Sequence, residues 1–368
     1  MNHAGPIPGA PDPAAIAALF QVDGFVETVE PFGSGLINDT FLVAAGAHRY
    51  VLQRINERVF PQPERIMGNI ALLSRHLAGR ERGALRIPAL VPSSDGAPFV
   101  RNGDGGFWRL MEFIPDAVVF GGIETSAQAM EVGRALGRFH RLVQDLDPTR
   151  LAVTLPGFHH TPGYLERFER VLSSAALQAD EIRDSTAFVL ARRGLAGVLE
   201  TARGEGRLPV RVIHGDPKLD NILFDRATGR AVSLIDLDTV QPGLIQHDVG
   251  DCLRSCCNRQ GESPGEKAGI SFDLTVCREI LGTYADEVRS FFTAADIESL
   301  YDGIRVIPFE LGLRFLTDHL KGDRYFRVTE PGQNLRKARV QFALVEDIER
   351  RGPQIRSIIA ECFPHRSS

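Results

Sequence analysis

The run His214-Gly215-Asp216-Pro217-Lys218-Leu219-Asp220-Asn221, followed by Ile222-Leu223-Phe224 and then Ile235-Asp236, restricts this chain more than any other stretch. Gly215 and Pro217 are turn formers that neither a helix interior nor a central strand accommodates. The apolar residues that follow read as strands. The segment therefore predicts a loop closed by one strand, with Asp236 on the next, 236 − 221 = 15 positions after the asparagine.

Phosphoryl transfer asks a protein for little covalent chemistry. It needs a carboxylate that orients an attacking hydroxyl and accepts its proton, and oxygen ligands that hold Mg²⁺ on nucleotide phosphates. Asp216 would be that base, with Asn221 and Asp236 as metal ligands, in the order of the kinase signatures H-R-D-x-x-x-x-N and D-F-G. An Asp flanked by Gly and Pro is by itself a plain turn residue, and the company of Asn221 and Asp236 is what makes it a base. Lys218, two residues on, is placed to reach a transferring phosphate. Asp238, on the strand face of Asp236, is a further metal candidate. A solvated turn lysine and a surface aspartate are the plainer readings of those two.

With 368 residues the chain predicts two lobes rather than one domain. Residues 1–20 read as a floppy leader without signal-peptide character and a short helix. Residues 21–115 read as a β-rich, nucleotide-binding lobe: strands lead up to Gly33, through Thr40–Val43 and through Arg49–Ile55, a helix spans 63–79, and a pair near Phe99–Arg101 and Phe107–Phe113 is joined by Asn102–Gly106. Residues 116–368 read as a helical lobe with the catalytic loop and substrate site. Within it, 126–146 form a helix, 163–203 one or two more, and the part after 237 is helical to about Ile359. The class is α+β, a small antiparallel β lobe followed after a hinge near Glu112–Asp116 by a larger helical lobe. A net charge of −5 without a basic block points away from nucleic acid and membrane surfaces. No apolar run is long enough to span a bilayer.

Gly33-Ser34-Gly35, between strands, suits a hairpin whose N–H groups approach ATP phosphates, since small residues leave room for that approach. An ordinary hairpin turn explains the triplet equally well. No G-x-x-x-x-G-K-[ST] occurs, which excludes a P-loop. The four lysines are Lys218, Lys267, Lys321 and Lys337, so the strand lysine that kinases set against the phosphates is absent. In Val51-Leu52-Gln53-Arg54, Arg54 or Gln53 must take over, with Glu64 a possible partner for Arg54. Glu112 and Ile114, at the hinge, are further candidate nucleotide contacts. His140 reads as a core histidine, and His159-His160, between Gly157 and Gly163, as part of a possible lid. Asp248 reads as a brace for the catalytic loop. Cys252 and Cys256 share a helical face; buried, reduced thiols of a cytoplasmic protein account for them better than a metal or redox site.

HGDPKLDN followed by LIDLD resembles the aminoglycoside phosphotransferase/choline kinase superfamily, which implies a protein-kinase-like two-lobed fold and use of ATP and Mg²⁺. Within it, GSGLINDTF at 33–41, YVLQRIN at 50–56, FHHTP at 158–162 and RFLTDHLKGDRYF at 314–326 are similar to bacterial N-acetylhexosamine 1-kinases. That resemblance implies Asp216 as base, Asn221 and Asp236 as metal ligands, and Arg314 and Tyr325 as sugar contacts. From the residues themselves, Gly322 ends a helix and lets Tyr325 return beside Arg314. Spacing of four allows Glu310, Arg314 and Asp318 to be only a surface ion-pair ladder.

A protein kinase is disfavoured, because 248 − 236 − 1 = 11 residues between Asp236 and Asp248 leave no space for a peptide-docking segment. Aminoglycoside, choline and homoserine kinases stay open, as does a binding protein without catalysis. The expected partner is a small-molecule sugar, with no nucleic acid, membrane or obligate protein partner.

Overall fold

The structure is a computed structural model, and it describes residues 12–33, 37–80, 85–103, 105–173, 180–261 and 269–364. The chain divides into two compact units, Met1–Arg75 with Ile87–Pro115 and His76–Arg86 with Asp116–Ser368.

The first unit is built on one antiparallel sheet. After helix α1 (Pro13–Ala17) come β1 (Val26–Pro31), β2 (Asp39–Ala45), β3 (His48–Ile55), helix α2 (Pro63–Leu77), β4 (Leu90–Val91), β5 (Val100–Arg101) and β6 (Phe107–Glu112). The strand order is β1-β2-β3-β6-β4, with β5 paired to β6. Gly46, at φ +56°, turns β2 into β3 at the two-residue link Gly46-Ala47. One face of the sheet is apolar and covered by α1: Ile16, Ala17 and Phe20 cluster with Val43, Leu52, Trp108 and Leu110. The opposite face carries Thr40, Gln53 and Arg109 as direct cross-strand partners.

The second unit contains β7 (Ala117–Val118), α3 (Ser126–Val143), α4 (Thr161–Leu172), α5 (Asp180–Ala191), α6 (Arg193–Ala196), α7 (Val198–Gly204), β8 (Arg211–Ile213), β9 (Ile222–Asp225), β10 (Ala231–Leu234), β11 (Gln241–Gly243), α8 (Ile245–Cys256), α9 (Leu274–Val288), α10 (Ala294–Glu298), α11 (Leu300–Leu320), α12 (Gln333–Arg350) and α13 (Gly352–Cys362). Two small sheets, β10-β9-β7 and β11-β8, frame the loop at residues 214–221. Helix α3 starts at a Thr125/Gln128 capping box and buries Val132, Leu136, Phe139 and Val143. It lies close on α9, since a Cβ at Gly133 would meet the Ile280 carbonyl at 2.2 Å. Val306, Phe309, Leu313 and Leu316 seat α11 in a core shared with Phe168 and Phe342.

This is the α+β class expected. Some elements differ. The described residues of 163–203 hold all or part of four helices rather than one or two, and β4 and β11 escape notice because two or three residues show no alternation. All five cysteines are free thiols and four are buried. Among the described residues no helix is long and apolar enough to cross a membrane.

Candidate active site

The loop after β8 is held from below by a carboxylate. Asp248, in the first turn of α8, accepts the backbone N–H of His214 (2.7 Å) and of Gly215 (2.8 Å). It also accepts His140 Nε2–H at 2.9 Å, while Tyr284 lies 2.8 Å from His140 Nδ1. Burial would raise the Asp248 pKa, but the hydrogen bond and charge of His140 and the His214 N–H outweigh it and hold the carboxyl below its usual range. Asp248 is thus the brace expected, and His140 a satisfied core histidine.

Gly215 is required by geometry. Its φ is +88°, and a Cβ there would meet the Thr239 carbonyl at 2.6 Å. The Thr239 hydroxyl donates to the His214 carbonyl at 2.9 Å, closing the loop against the turn that follows Asp236. The His214 ring spans the two halves of the site, accepting the Asp216 N–H at Nδ1 (3.3 Å) and donating from Nε2 to the Ile235 carbonyl (3.0 Å). Burial pushes its pKa down, which suits this neutral, donor-acceptor role. The Ile235 N–H in turn reaches the Asn221 carbonyl at 2.9 Å.

Asp216, Lys218 and Asn221 are drawn together. Lys218 Nζ lies 2.8 Å from Asp216 Oδ2. The Asn221 amide donates to the Asp216 carbonyl (2.7 Å) and to Oδ2 (3.1 Å), which turns Asn221 Oδ1 away from Asp216. Asp236 lies two residues beyond β10 rather than on it. It adopts the left-handed conformation, φ +64°, and its side chain is exposed. Asp is among the few residues that tolerate this, and such conformations gather at functional sites. Asp238 calls for a correction. A 3₁₀ turn, Leu237–Thr239, begins at Asp236, so strand alternation does not apply, and Asp238 is buried rather than on the surface.

Among the described residues no three His, Cys, Asp or Glu side chains cluster as a metal cage. An amide oxygen with one exposed carboxylate is nonetheless a hard donor pair of the kind that Mg²⁺ accepts when nucleotide phosphates and water complete its shell. Asn221 and Asp236 fit that ion.

His159 and His160 do not form a lid. His159 is buried, with Nε2 donating to the Gly215 carbonyl at 2.7 Å and Nδ1 3.1 Å from Glu310 Oε1. Thr161 donates to the other Glu310 oxygen at 2.6 Å, and His160 caps α4. Burial would raise Glu310, but the His159 charge holds it down at about 2; burial would lower His159, and Glu310 raises it instead. The pair is therefore ionised and fully present between the ordinary values of 4.5 and 6.5. Glu310's share is lost as pH falls toward about 2, and His159's as pH rises through its raised pKa. Glu310→Ala leaves an uncompensated buried charge and is expected to lower unfolding free energy by about 3–5 kcal/mol. Denaturant titration checks this, and a loss below about 1 kcal/mol, typical of surface pairs, contradicts it.

The surface ladder is also corrected. Glu310 and Asp318 are buried. Asp318 accepts the N–H groups of Arg324 (3.0 Å), Tyr325 (2.8 Å) and Phe326 (2.9 Å), which folds the segment after Gly322 back toward α11. The Arg314 guanidinium is left among rings, 5.1 Å from the centroid of Tyr164, 5.3 Å from Phe158, 5.5 Å from Phe326 and 6.0 Å from Tyr325.

In the first unit, Gly33 has φ +76°, and Ser34 and Gly35 lie outside the described residues. Arg54 pairs in register with Trp108 on the α1-covered face, its guanidinium 6.0 Å from that ring. Glu64 is bound by Arg101 at 2.6 Å, not by Arg54, because β5 brings Arg101 to the start of α2. Glu112 ends β6, and Ile114 follows it, partly buried.

The model of the phosphotransferase enzyme family (APH) matches residues 28–279. The chain belongs to that family. Among solved structures, this phosphotransferase is similar to a microcompartment-associated aminopropanol kinase (TM-score 0.62, 20% identity, 93% of this chain and 97% of that one). It is also similar to an aminoglycoside phosphotransferase from Alicyclobacillus acidocaldarius (0.58, 16%, 96% of each chain). A choline kinase from Cryptosporidium parvum matches at 0.55 and 14% identity, over 89% of this chain and 90% of that one. The phosphotransferase thus has the protein-kinase-like fold of small-molecule kinases. The family match stops at 279, before Arg314 and Tyr325.

Proposed function

We propose that this phosphotransferase moves the γ-phosphoryl group of ATP to the anomeric hydroxyl of an N-acetylhexosamine, giving a sugar 1-phosphate. Asp216 accepts the hydroxyl proton as the O1–Pγ bond forms and the bond from Pγ to the β-phosphate oxygen breaks. Lys218, beside the base, adds positive charge facing the transferring group. Asn221 and Asp236 would hold Mg²⁺, which when bound neutralises phosphate charge.

The observation that carries the acceptor assignment is the Arg314 site. A guanidinium among four aromatic rings offers directional donors for hydroxyl and acetamide oxygens and apolar surface for a sugar ring. A cationic acceptor such as choline or an aminoglycoside would meet like charge there. The same helix reaches the base: Glu310, one turn before Arg314, holds His159, which holds the carbonyl of the residue preceding Asp216. Acceptor contact and base are so joined through three side chains of one unit.

Arg314→Ala is expected to raise KM for the sugar about 10–100-fold, the loss of one or two charge-assisted hydrogen bonds, with KM for ATP unchanged. Equal effects on both, or none, remove the sugar role. The acceptor class is tested by ADP release across N-acetylhexosamines, aminoglycosides, choline, ethanolamine, aminopropanol and homoserine. The highest kcat/KM is expected on an N-acetylhexosamine. Turnover confined to the amino alcohols or aminoglycosides overturns the proposal.

A further inference from the structure

Tyr325 stands beside Arg314, its ring centroid 6.0 Å from the guanidinium carbon, yet burial does not put it there, because the residue is 47% exposed. An exposed ring on a connecting segment keeps its place only where the backbone beneath it is held. The stretch between α11 and α12 belongs to no helix or strand, so its N–H groups have no ladder to join. Three of them converge on one buried carboxylate. Asp318 Oδ1 accepts the Arg324 and Tyr325 N–H groups, and Oδ2 accepts that of Phe326. The Asn334 amide adds a fourth hydrogen bond, to Oδ2 at 3.0 Å. All four donors are neutral amides, so hydrogen bonds from the loop itself keep the buried charge satisfied.

The end of α11 does not need this side chain as a cap. Backbone bonds close it already, from the Gly322 N–H to the His319 carbonyl and from the Asp323 N–H to the Asp318 carbonyl. The Asp318 carboxylate acts on the three residues beyond that turn. Asn334, buried in the first turn of α12, also donates to Asp323 Oδ1 at 2.8 Å. Asp323 has φ +55° and follows Gly322 at +83°, and these two left-handed residues reverse the chain. The helix, the reversal and α12 are thus tied at Asp318, four positions after Arg314 and so one turn from it.

We infer that Asp318, with Asn334, is the positioning residue of the acceptor site, holding Tyr325 at Arg314 so that ring and guanidinium meet one ligand together. The inference rests on the reading of Arg314 and Tyr325 as acceptor contacts, and on no choice among acceptors. A ligand that finds the loop out of place binds more weakly, by the fraction of time the loop is in place.

Steady-state kinetics of the full chain test it, varying the acceptor of highest kcat/KM in the panel above at saturating ATP. Asp318→Asn keeps the shape but leaves one oxygen where two accept hydrogen bonds. KM for the acceptor is expected to rise about 10-fold, with kcat within about twofold and KM for ATP unchanged. A mere loss of folded chain would lower kcat and leave KM alone. Tyr325→Ala is expected to raise the acceptor KM by itself, and adding Asp318→Asn to it should change KM by no more than about twofold, since the anchor acts through that ring. Effects that multiply in the double variant, or an unchanged acceptor KM in Asp318→Asn, overturn the inference. Where Asp318→Asn does not fold, Asp323→Gly takes its place, because glycine suits the left-handed backbone and frees the loop from Asn334. It is expected to raise the acceptor KM about threefold or more, and no rise overturns the inference. An unaltered acceptor KM in Tyr325→Ala removes the acceptor reading and this inference together, whereas a raised one there beside a normal one in Asp318→Asn removes the inference alone.

Discussion

In an Asp216→Asn variant, kcat is expected to fall by about 10²–10⁴-fold, the usual loss for a general base. The substitution keeps the shape of the side chain and removes its charge. The backbone frame is independent of that charge, since Asp248 grips His214 and Gly215, and Thr239 closes the loop from the other side. The melting temperature should therefore stay near that of the unaltered chain while turnover collapses. Lys218 would lose its ion-pair partner at 2.8 Å, so MgADP affinity should be unchanged or slightly higher while kcat falls. Near-normal kcat in this variant would remove Asp216 as the base.

Asp236→Ala carries the second large effect. The residue is exposed, follows β10 by two positions and holds a left-handed conformation. Its removal creates no buried cavity, and alanine, which tolerates the left-handed conformation less well than aspartate, should cost only modest stability, so the chain should still fold. A metal-held phosphate is worth several kcal/mol of charge stabilisation, and each 1.4 kcal/mol is tenfold, so a loss of at least about 10³-fold in kcat/KM is expected. Calorimetry supplies a reading apart from turnover. The unaltered chain should bind ADP more tightly with Mg²⁺ than without it, and in Asp236→Ala that difference should shrink. A Mg²⁺ dependence that stays intact contradicts the ligand role.

The reactive loop was legible because its chemistry demands particular side chains at particular spacings. Asp216, Lys218 and Asn221 fall within six residues, and the structure brings them within hydrogen-bond reach. Asp248 could be read as a brace because an acid at the start of a helix, soon after a catalytic loop, has few other uses. What the sequence hid depends on register and on distance along the chain. Gln53 and Arg54 are adjacent, and one position decides the face, which cannot be told without the pairing of Gln53 with Arg109 and of Arg54 with Trp108. Glu64, a possible partner for Arg54 by sequence, is bound by Arg101 instead, which no periodic signal shows because β5 is two residues long. His159 and Glu310 are 151 positions apart, so a Gly- and Pro-bounded loop looked like a lid when its histidine is a buried strut. One signal pointed there: Glu310 lies four residues before Arg314, on the same helical face. Asp318 resembled a surface charge for a similar reason, since its partners are backbone N–H groups of a loop that returns only after Gly322.

The reaction itself is tested most directly by its product. After incubation with ATP, Mg²⁺ and an N-acetylhexosamine, phosphorus–proton correlation in the NMR spectrum of the purified product reports which carbon bears the phosphate. The account predicts coupling of the phosphorus to the anomeric proton, a sugar 1-phosphate formed in step with ADP. Coupling to the C6 protons, or ADP released without any phosphorylated sugar, would contradict it.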